Sequence, residues 1–462
     1  CHALEDLFPF PSSPWFAHAL WSSERPVCRG RPRWARPGAH LMCRDAHLVR
    51  WDAHVVRWGA PDVRPGVRVS RHVRYSRRDF LGAGAVAALG MAAWHPELLG
   101  AAHPQTDVWE LYVGTYTANG VSRGIYRMEV ERATGAFRAA TLAAETRDPS
   151  FLALTPDRRT LVAVNELASY DDKPSGALTT FARDVGTGAL TRIGERASLG
   201  GAPCYASIDA TGAHALVANY VGGNVAVFPL GARGPGEATA QVQHVGKGPN
   251  RARQAGPHAH CILLDKANRF ALSADLGIDR IRVYRYDATR GTLTPARQPE
   301  VALPPGAGPR HLAFAPDGGT VYVANELDST LAAFRYGSAS GSLVLQQVLS
   351  TRPAGAAGDN FPADLHVHPT GRFVYLSNRG DNTIAVFSVA SGTGRLALVQ
   401  SVATGGHWPR NFAIDPAGHL LLVAHQRSDS ITSFTIDART GHLTRTGAEA
   451  SVPAPVCLLF SA

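Results

Sequence analysis

Several features that mark other classes of protein are scarce or absent in these 462 residues. Cysteine occurs six times, and only Cys204, Cys261 and Cys457 follow the first hundred residues. No two cysteines have the Cys-x-x-Cys spacing of a metal site, and an odd number in the body leaves at least one thiol free. We therefore expect small buried thiols, no disulfide framework, and no metal or other cofactor.

Long apolar runs and a serine-nucleophile motif are also missing. The apolar stretch from Leu81 to Ala93 has about 13 residues, whereas a membrane span needs roughly 20, so we expect no stable membrane anchor. No Gly-x-Ser-x-Gly motif stands between a strand and a helix. A covalent acyl intermediate on serine is therefore not supported.

Positive charge is concentrated at one end of the chain. Residues 1–78 hold 14 Arg, no Lys and six acidic residues, so they carry almost all of the net charge of +9. The remainder is close to neutral. A nucleic-acid partner for the folded body is therefore not expected, despite a pI of about 9.5.

The first 102 residues divide into two segments. Residues 1–75 contain five of the eight Trp and no persistent apolar period, which predicts an unstructured or artefactual extension, with a small basic arm as the alternative. Residues 76–102 carry Arg77-Arg78-Asp79-Phe80-Leu81, a short apolar run and small residues up to Ala102. This order resembles a twin-arginine export signal and predicts a periplasmic or extracellular protein; a short buried helix is the alternative.

A repeat of about fifty residues fills residues 103–462. In the clearest copies, a unit starts at a proline, continues into a turn such as Asp-Pro-x-Gly, and then gives an apolar burst that ends in Asn or His. These copies start at Pro203, Pro309, Pro362 and Pro409, weaker ones start at Pro149 and Pro257, and a truncated one starts at Pro455. Within each unit, short apolar bursts separated by Gly, Pro, Asp or Asn predict four antiparallel strands.

Four-stranded units at this spacing are typical of a β-propeller. An open solenoid is the alternative, and the two ends of the chain decide between them. The last unit, from Pro455 to Phe460, is a lone first strand, while the segment from Leu111 to Val130 lacks a first strand. We therefore predict an all-β, seven-bladed β-propeller closed by pairing of the N- and C-terminal strands, and we expect a monomer.

Antiparallel strands place the loops of each unit on two faces. The ordinary turn residues fall on one face, and the loops at the unit starts and after the second strands fall on the other. This second face carries the chemically unusual side chains, and we expect them to converge on one mouth of the central channel. The candidates for binding are His258, His311, Arg410, Asn411 and Gln426, and the candidates for catalysis are His260, Arg310, Glu326 and Arg379.

Structural roles compete with these assignments. Asn165, Asn219, Asn325 and Asn378 end equivalent strands and favour loop capping. A histidine at a strand start can be a structural hydrogen-bonder, and the arginines can form salt bridges between blades. The mixture of His, Glu and Arg nevertheless suits proton transfer beside an anionic group.

Six short motifs follow one another along the repeats. They are Pro257-His258-Ala259-His260, Leu276-Gly277-Ile278-Asp279-Arg280, Gly308-Pro309-Arg310-His311, Asn325-Glu326-Leu327, Ser377-Asn378-Arg379-Gly380 and Pro409-Arg410-Asn411-Phe412. In this order they resemble the signatures of the propeller lactonase family, which includes bacterial 6-phosphogluconolactonase and the fungal enzyme that lactonises carboxymuconate. The resemblance implies a lactone-handling site and carries the fungal enzyme's catalytic roles onto His260, Arg310, Glu326 and Arg379.

Four functions remain open at this point. The first is hydrolysis of a sugar or hydroxy-acid lactone, with Glu326 or His260 as general base and Arg310 and Arg379 binding the anionic group. The second is cycloisomerisation of a muconate-type diacid with the same side chains. The third is an exported propeller that only binds a partner. The fourth is a metal-dependent lactonase in which Glu166, Asn219, Asn325 and Asn378 supply oxygen ligands to calcium. One carboxylate is few for such a site. The export signal also disfavours a phosphorylated, cytoplasmic substrate.

Overall fold

The computed structural model describes residues 107–118 and 120–461, and every regular element in these ranges is a β-strand. No helix in the same ranges has the length and apolar character needed to cross a membrane. The predicted extension at 1–75 and the predicted export signal at 76–102 lie outside the described residues. Both therefore stay predictions.

Twenty-nine strands make up the described part of the chain. In order they are β1 (Val108–Thr115), β2 (Gly124–Glu131), β3 (Thr141–Glu145), β4 (Pro149–Leu154), β5 (Thr160–Asn165), β6 (Ala177–Arg183), β7 (Leu190–Ala197), β8 (Pro203–Ile208), β9 (His214–Asn219), β10 (Asn224–Gly231), β11 (Gly234–Pro235), β12 (Ala240–Gln243), β13 (Ala259–Leu264), β14 (Phe270–Asp275), β15 (Arg280–Asp287), β16 (Thr292–Ala302), β17 (Pro309–Phe314), β18 (Thr320–Asn325), β19 (Thr330–Gly337), β20 (Ser342–Ser350), β21 (Phe361–Val367), β22 (Phe373–Arg379), β23 (Thr383–Val389), β24 (Leu396–Ala403), β25 (Pro409–Ile414), β26 (Leu420–His425), β27 (Ser430–Ile436), β28 (Leu443–Ser451) and β29 (Pro455–Phe460).

These strands form seven antiparallel sheets, the blades of a propeller. Blade 1 is β4–β7, blade 2 is β8–β12, blade 3 is β13–β16, blade 4 is β17–β20, blade 5 is β21–β24, blade 6 is β25–β28, and blade 7 is β29 with β1–β3. Blade 2 departs from the pattern, because β11 and β12 both pair with β10 in place of a single outer strand. The first strands start within two residues of the prolines that predicted them.

The ring closes by pairing the two ends of the described chain. β29 lies antiparallel to β1, with Leu111 opposite Phe460 and Gly114 opposite Cys457. The backbone groups of β1 that would otherwise form an open sheet edge are thereby paired. The predicted seven-bladed propeller, closed by its terminal strands, is confirmed.

The core lies between the blades. Seven clusters of buried apolar side chains occupy the described residues, and each joins two neighbouring blades. The cluster between blades 7 and 1, for example, packs Tyr112 and Cys457 against Leu152, Leu161 and Phe181. Because every blade depends on both neighbours for burial, the ring is stabilised as a whole.

Turn residues define one face of the ring. In blade 6, Asp415 accepts hydrogen bonds from the backbone N–H groups of His419 and Leu420, both at 2.6 Å, and Gly418 has a φ of +75°. Asp437 and Gly441 close the outer turn of the same blade on the same face. The opposite face is left for the loops that carry His, Arg and Glu.

Candidate active site

One repeat position supplies much of the opposite face. It is the residue that follows the Thr, Asn, Asp or His at the end of each second strand. In blades 7 and 1 to 6 this residue is Tyr116, Glu166, Tyr220, Leu276, Glu326, Arg379 and Gln426. In most blades its backbone N–H donates to a carbonyl at the blade start, as Glu326 does to Gly308 at 2.8 Å and Gln426 to Trp408 at 3.1 Å. This bond fixes where each side chain enters the mouth.

A cavity of about 210 Å³ lies inside this ring of residues. Six of the predicted catalytic and binding residues, contributed by consecutive blades, meet there with residues from the loop before blade 3. The cavity is lined by Glu166, Cys204, Tyr220, Val221, Ala252, Arg253, His258, His260, Glu326, Arg379, Trp408, Arg410 and Gln426. Arg310, His311 and Asn411 are buried but are not among the lining residues.

Glu326 is held by three guanidinium groups. Its Oε1 lies 2.5 Å from Arg253 NH2, and its Oε2 lies 2.6 Å from Arg379 NH2 and 3.1 Å from Arg310 Nε. The Arg310 Nε contact is an ion pair without hydrogen-bond alignment. Burial alone would raise the pKa of Glu326, but Arg379, Arg253 and Arg310 outweigh it and hold the pKa far below its usual range.

Arg379 is buried at the side of the cavity. Its Nε donates to the carbonyl of Phe361 at 3.1 Å, and its guanidinium lies 5.5 Å from the centre of the Trp408 ring. Burial, with Arg310 and Arg410 nearby, lowers the pKa of Arg379 to about 9, while Glu326 opposes the shift. The guanidinium therefore stays charged at neutral pH.

Trp408 is held in an unusual backbone conformation. Its φ is +66°, a left-handed value that is strained for a bulky residue and that recurs at the residue before the first proline of several blades. The next residue is Pro409, at the start of β25. This geometry puts the indole ring at the cavity wall, between the guanidinium groups of Arg379 and Arg427.

Arg410, Glu166 and Tyr116 form a second charged group. Arg410 NH2 lies 3.5 Å from Glu166 Oε2, and Tyr116 Oη donates to the same oxygen at 2.9 Å. The Arg410 guanidinium also lies 5.3 Å from the Tyr116 ring centre. Burial would lower the pKa of Arg410, but Tyr116 and Glu166 raise it above its usual value, so Arg410 is a permanent cation.

His260 is a neutral imidazole at the cavity. Burial and the positive charge of Arg310, together with His311 and Arg410, lower its pKa well below the usual value. Its Nδ1 lies 3.6 Å from Cys204 Sγ, and burial raises the pKa of that thiol well above its usual range. Cys204 is therefore a protonated neighbour of His260.

Arg310 and His311 lie in contact with Asp364. Arg310 NH1 donates to the carbonyl of Ala363 at 2.7 Å and lies 3.1 Å from His311 Nε2, while His311 Nδ1 lies 2.8 Å from Asp364 Oδ1. An arginine can only donate, so Nε2 accepts and Nδ1 carries the proton. Burial and Arg310 lower the pKa of His311 to about 4. This arrangement orients Arg310.

The remaining predicted binding residues have three different settings. The His258 ring stacks on Tyr220 with centres 4.5 Å apart, and its Nδ1 lies 2.9 Å from the Tyr220 carbonyl. Gln426 lines the cavity, and its Oε1 has no hydrogen-bond partner within the described residues. Asn411 donates to Asp364 at 2.6 Å and accepts from Leu458 N–H at 2.6 Å, so it links β25 to the closing strand β29.

Several site residues were absent from the sequence prediction. Arg253 and Ala252 come from the loop before blade 3. Like the other loops at the unit starts, this loop lies on the mouth face. Tyr116 and Tyr220 occupy the same repeat position as Glu326. That shared position was the signal available in the sequence, but tyrosine is common in strands and its role depends on the neighbours that folding supplies.

The strand-ending asparagines bind protein groups. Asn378, for example, donates to the Thr351 carbonyl at 3.0 Å and accepts from Thr351 Oγ1 at 2.9 Å, and Asn219 donates to the Ser198 carbonyl at 2.9 Å. Within 107–118 and 120–461, no group of three or more His, Cys, Asp or Glu side chains is placed to hold a metal ion. The amides thus stabilise the loops that carry the site.

Residues 110–460 match the family of seven-bladed β-propeller lactonases, and the chain belongs to that family. Fold and family together define a lactone hydrolase. It is similar to the 6-phosphogluconolactonase of Bacillus subtilis (strain 168), with 35% identity over 350 residues, 76% of this chain and 97% of the relative.

Solved structures agree with this relationship. The periplasmic gluconolactonase of Pseudomonas aeruginosa has a TM-score of 0.72 and 33% identity, over 77% of this chain and 99% of that one. A protein from Lactobacillus plantarum has a TM-score of 0.70 and 32% identity, over 76% of this chain and 99% of its own.

Proposed function

We propose that this lactonase hydrolyses an anionic or polyhydroxylated sugar or hydroxy-acid lactone in the cavity at the mouth. The observation that carries the proposal is the meeting of Arg379, Arg410 and Arg253 with Glu326 and the neutral His260 around one space of about 210 Å³. The carboxylates of Glu166 and Glu326 do not neutralise all of these guanidinium groups. The site therefore retains positive charge that can bind a carboxylate, a phosphate or a developing oxyanion.

The proposed roles follow from the contacts. Arg379 and Arg410 bind the carbonyl oxygen or an acidic group of the lactone, and Arg310 acts behind them, oriented by His311. His260 hydrogen-bonds the attacking water or the ring oxygen. Glu326, with its pKa far below the usual range, is a weak base, so we assign it to the ordering of three guanidinium groups. His258, Tyr220 and Gln426 contact the hydroxyl groups of the substrate.

The same arginine side chains would also serve the second candidate function, cycloisomerisation of a muconate-type diacid. It needs two carboxylates bound at once, and Arg253 with Arg379 and Arg410 supplies enough cations for that. A propeller that only binds a partner needs no such arrangement. The geometry therefore favours an enzyme, and the lactonase family with its 6-phosphogluconolactonase relatives favours hydrolysis.

We also propose an exported monomer. Arg77 and Arg78, followed by the short apolar run, support the twin-arginine route, and the relative from Pseudomonas aeruginosa is periplasmic. An exported enzyme would meet a lactone without a phosphate more often than 6-phosphogluconolactone. Replacing both arginines with lysine should retain the precursor in the cytoplasm, and unchanged export would refute the route.

A substrate panel tests the function. Residues 103–462 should be assayed with sugar δ-lactones, with and without a phosphate, with simple hydroxy-acid lactones and with muconates, each in the presence and absence of a chelator. We expect the highest kcat/KM on a sugar lactone. Turnover of muconates alone would select the second candidate, and no turnover of any lactone would refute the assignment of the substrate class.

A further inference from the structure

Two carboxylates line the cavity from corresponding places in the repeat. Asn165-Glu166-Leu167 of blade 1 and Asn325-Glu326-Leu327 of blade 4 are the same three residues, each directly after a second strand. Blades 1 and 4 are three positions apart in a ring of seven. The two carboxylates therefore approach the cavity from different sides, and both are buried.

Their partners differ sharply. Glu326 contacts three guanidinium groups, with the nearest nitrogens at 2.5, 2.6 and 3.1 Å, so both of its oxygens are neutralised by cations. Among the residues that the structure describes, Glu166 contacts one cation, Arg410, at 3.5 Å and one neutral donor, Tyr116 Oη, at 2.9 Å. Both contacts are to Oε2. A carboxylate held by three cations is a poor proton acceptor, which leaves Glu166 as the carboxylate at the cavity that can serve as a base.

We infer that Glu166 is the catalytic base of this site, an inference that depends on the proposed lactone hydrolysis. Glu166 takes a proton from the attacking water as the water oxygen bonds to the lactone carbonyl carbon. The bond between that carbon and the ring oxygen then breaks, and protonated Glu166 returns the proton to the ring oxygen. The products are the hydroxy acid, which ionises in water, and the original Glu166 carboxylate, so no further reactant is needed.

The surroundings of Glu166 suit this cycle. Tyr116 comes from the end of β1, Arg410 from β25, and the Cys204 thiol from β8, while the Glu166 backbone N–H donates to the Asp148 carbonyl at 3.0 Å. The Asp148 carboxylate itself accepts from Thr117 N–H at 2.7 Å. Tyr116 has a pKa raised well above its usual value by burial, so it stays a hydrogen-bond donor to Glu166 throughout the working pH range.

The test compares Glu166→Gln with the parent protein on its best lactone. We expect kcat to fall about 10²–10⁴-fold with KM changed less than about threefold, because Gln keeps the shape and loses the base. Glu300→Gln, on the outer strand β16 and away from the cavity, is the matched control and should keep parent activity. Melting curves should show that both variants fold.

Tyr116→Phe provides a second readout that does not depend on removing the carboxylate. It keeps the ring beside Arg410 and removes one hydrogen bond from the Glu166 carboxylate. Because the donor that orients the carboxylate is lost, kcat should fall by more than KM changes. A Tyr116→Phe variant with the parent kcat would overturn the inference.

The outcomes separate the inference from the function on which it depends. A parent protein that hydrolyses no lactone contradicts the proposed function. A parent that hydrolyses one, with Glu166→Gln at the same kcat, contradicts only the role of Glu166.

Discussion

Replacing Glu326 with Gln tests whether this carboxylate is the anchor of the site. The substitution preserves shape but removes the charge that Arg253, Arg310 and Arg379 share at 2.5–3.1 Å. The side chains of Glu326, Arg310 and Arg379 are 2–4% exposed, so the cations left behind are poorly compensated by water. Breaking a buried ion pair from one side costs about 3–5 kcal/mol.

That cost should be visible in both stability and kinetics. For a domain of this size, about 3–5 kcal/mol corresponds to a fall in Tm on the order of 5 °C. Because Arg379 and Arg310 lose the group that orients them, KM should rise at least as much as kcat falls. Glu166→Gln should show the opposite split, with a large loss of kcat.

The assay is thermal unfolding combined with Michaelis kinetics on Glu326→Gln, Arg379→Met and the double variant. Since the two residues are in contact, the losses in the double variant should be smaller than the sum of the single losses. An unchanged Tm together with a selective loss of kcat would refute the anchor role and return Glu326 to the role of general base.

Three further predictions concern the fold around the site. Deleting residues 455–462 should cost most of the stability, because β1 loses its partner strand and two inter-blade clusters lose side chains; a truncated protein with the parent Tm would contradict a closed ring. His311 and His425 have their pKa lowered to about 4 by burial, so the unfolded chain protonates them near pH 6.5 before the folded protein does. Stability should therefore fall from pH 6.5 to pH 4 by about 3 kcal/mol per histidine, and a His425→Asn variant with the same acid slope as the parent would argue against this. Trp408→Gly should be more stable than Trp408→Ala by about 1 kcal/mol in urea unfolding, because glycine adopts φ = +66° without the strain that a Cβ introduces; equal stability would show that the backbone relaxes.

The fold was predictable because its signals are local and repeated. A proline marks the start of each unit, and in most blades a turn related to Asp-Pro-x-Gly and an apolar second strand follow it, while the lone strand at Pro455 predicts the closure. Blade 2 departs from the predicted four strands, because its outer strand is divided into β11 and β12. The segment around Gly231 to Ala238 contains several turn-forming residues, but sequence alone does not show which of them pair with β10.

The site was predictable in its location more than in its electrostatics. Because antiparallel strands alternate in direction, the loops after the second strands lie on one face, and this places Glu326, Arg379 and Gln426 together. It does not show that three guanidinium groups converge on Glu326, because Arg379 comes from blade 5 and Arg253 from the loop before blade 3, while Arg310 shares blade 4 with Glu326. Sequence reasoning treated Glu326 as a base for that reason, and it left Glu166 among candidate metal ligands. Charge balance depends on distances that only the folded ring supplies.

The most direct test of the account is a crystal structure of the protein with the hydroxy-acid product of its best lactone. We expect the product in the cavity at the mouth, with its carboxylate on Arg379 or Arg410 and an oxygen within hydrogen-bonding distance of Glu166 or His260. A product bound on the turn face of the ring, with this cavity empty, would contradict it.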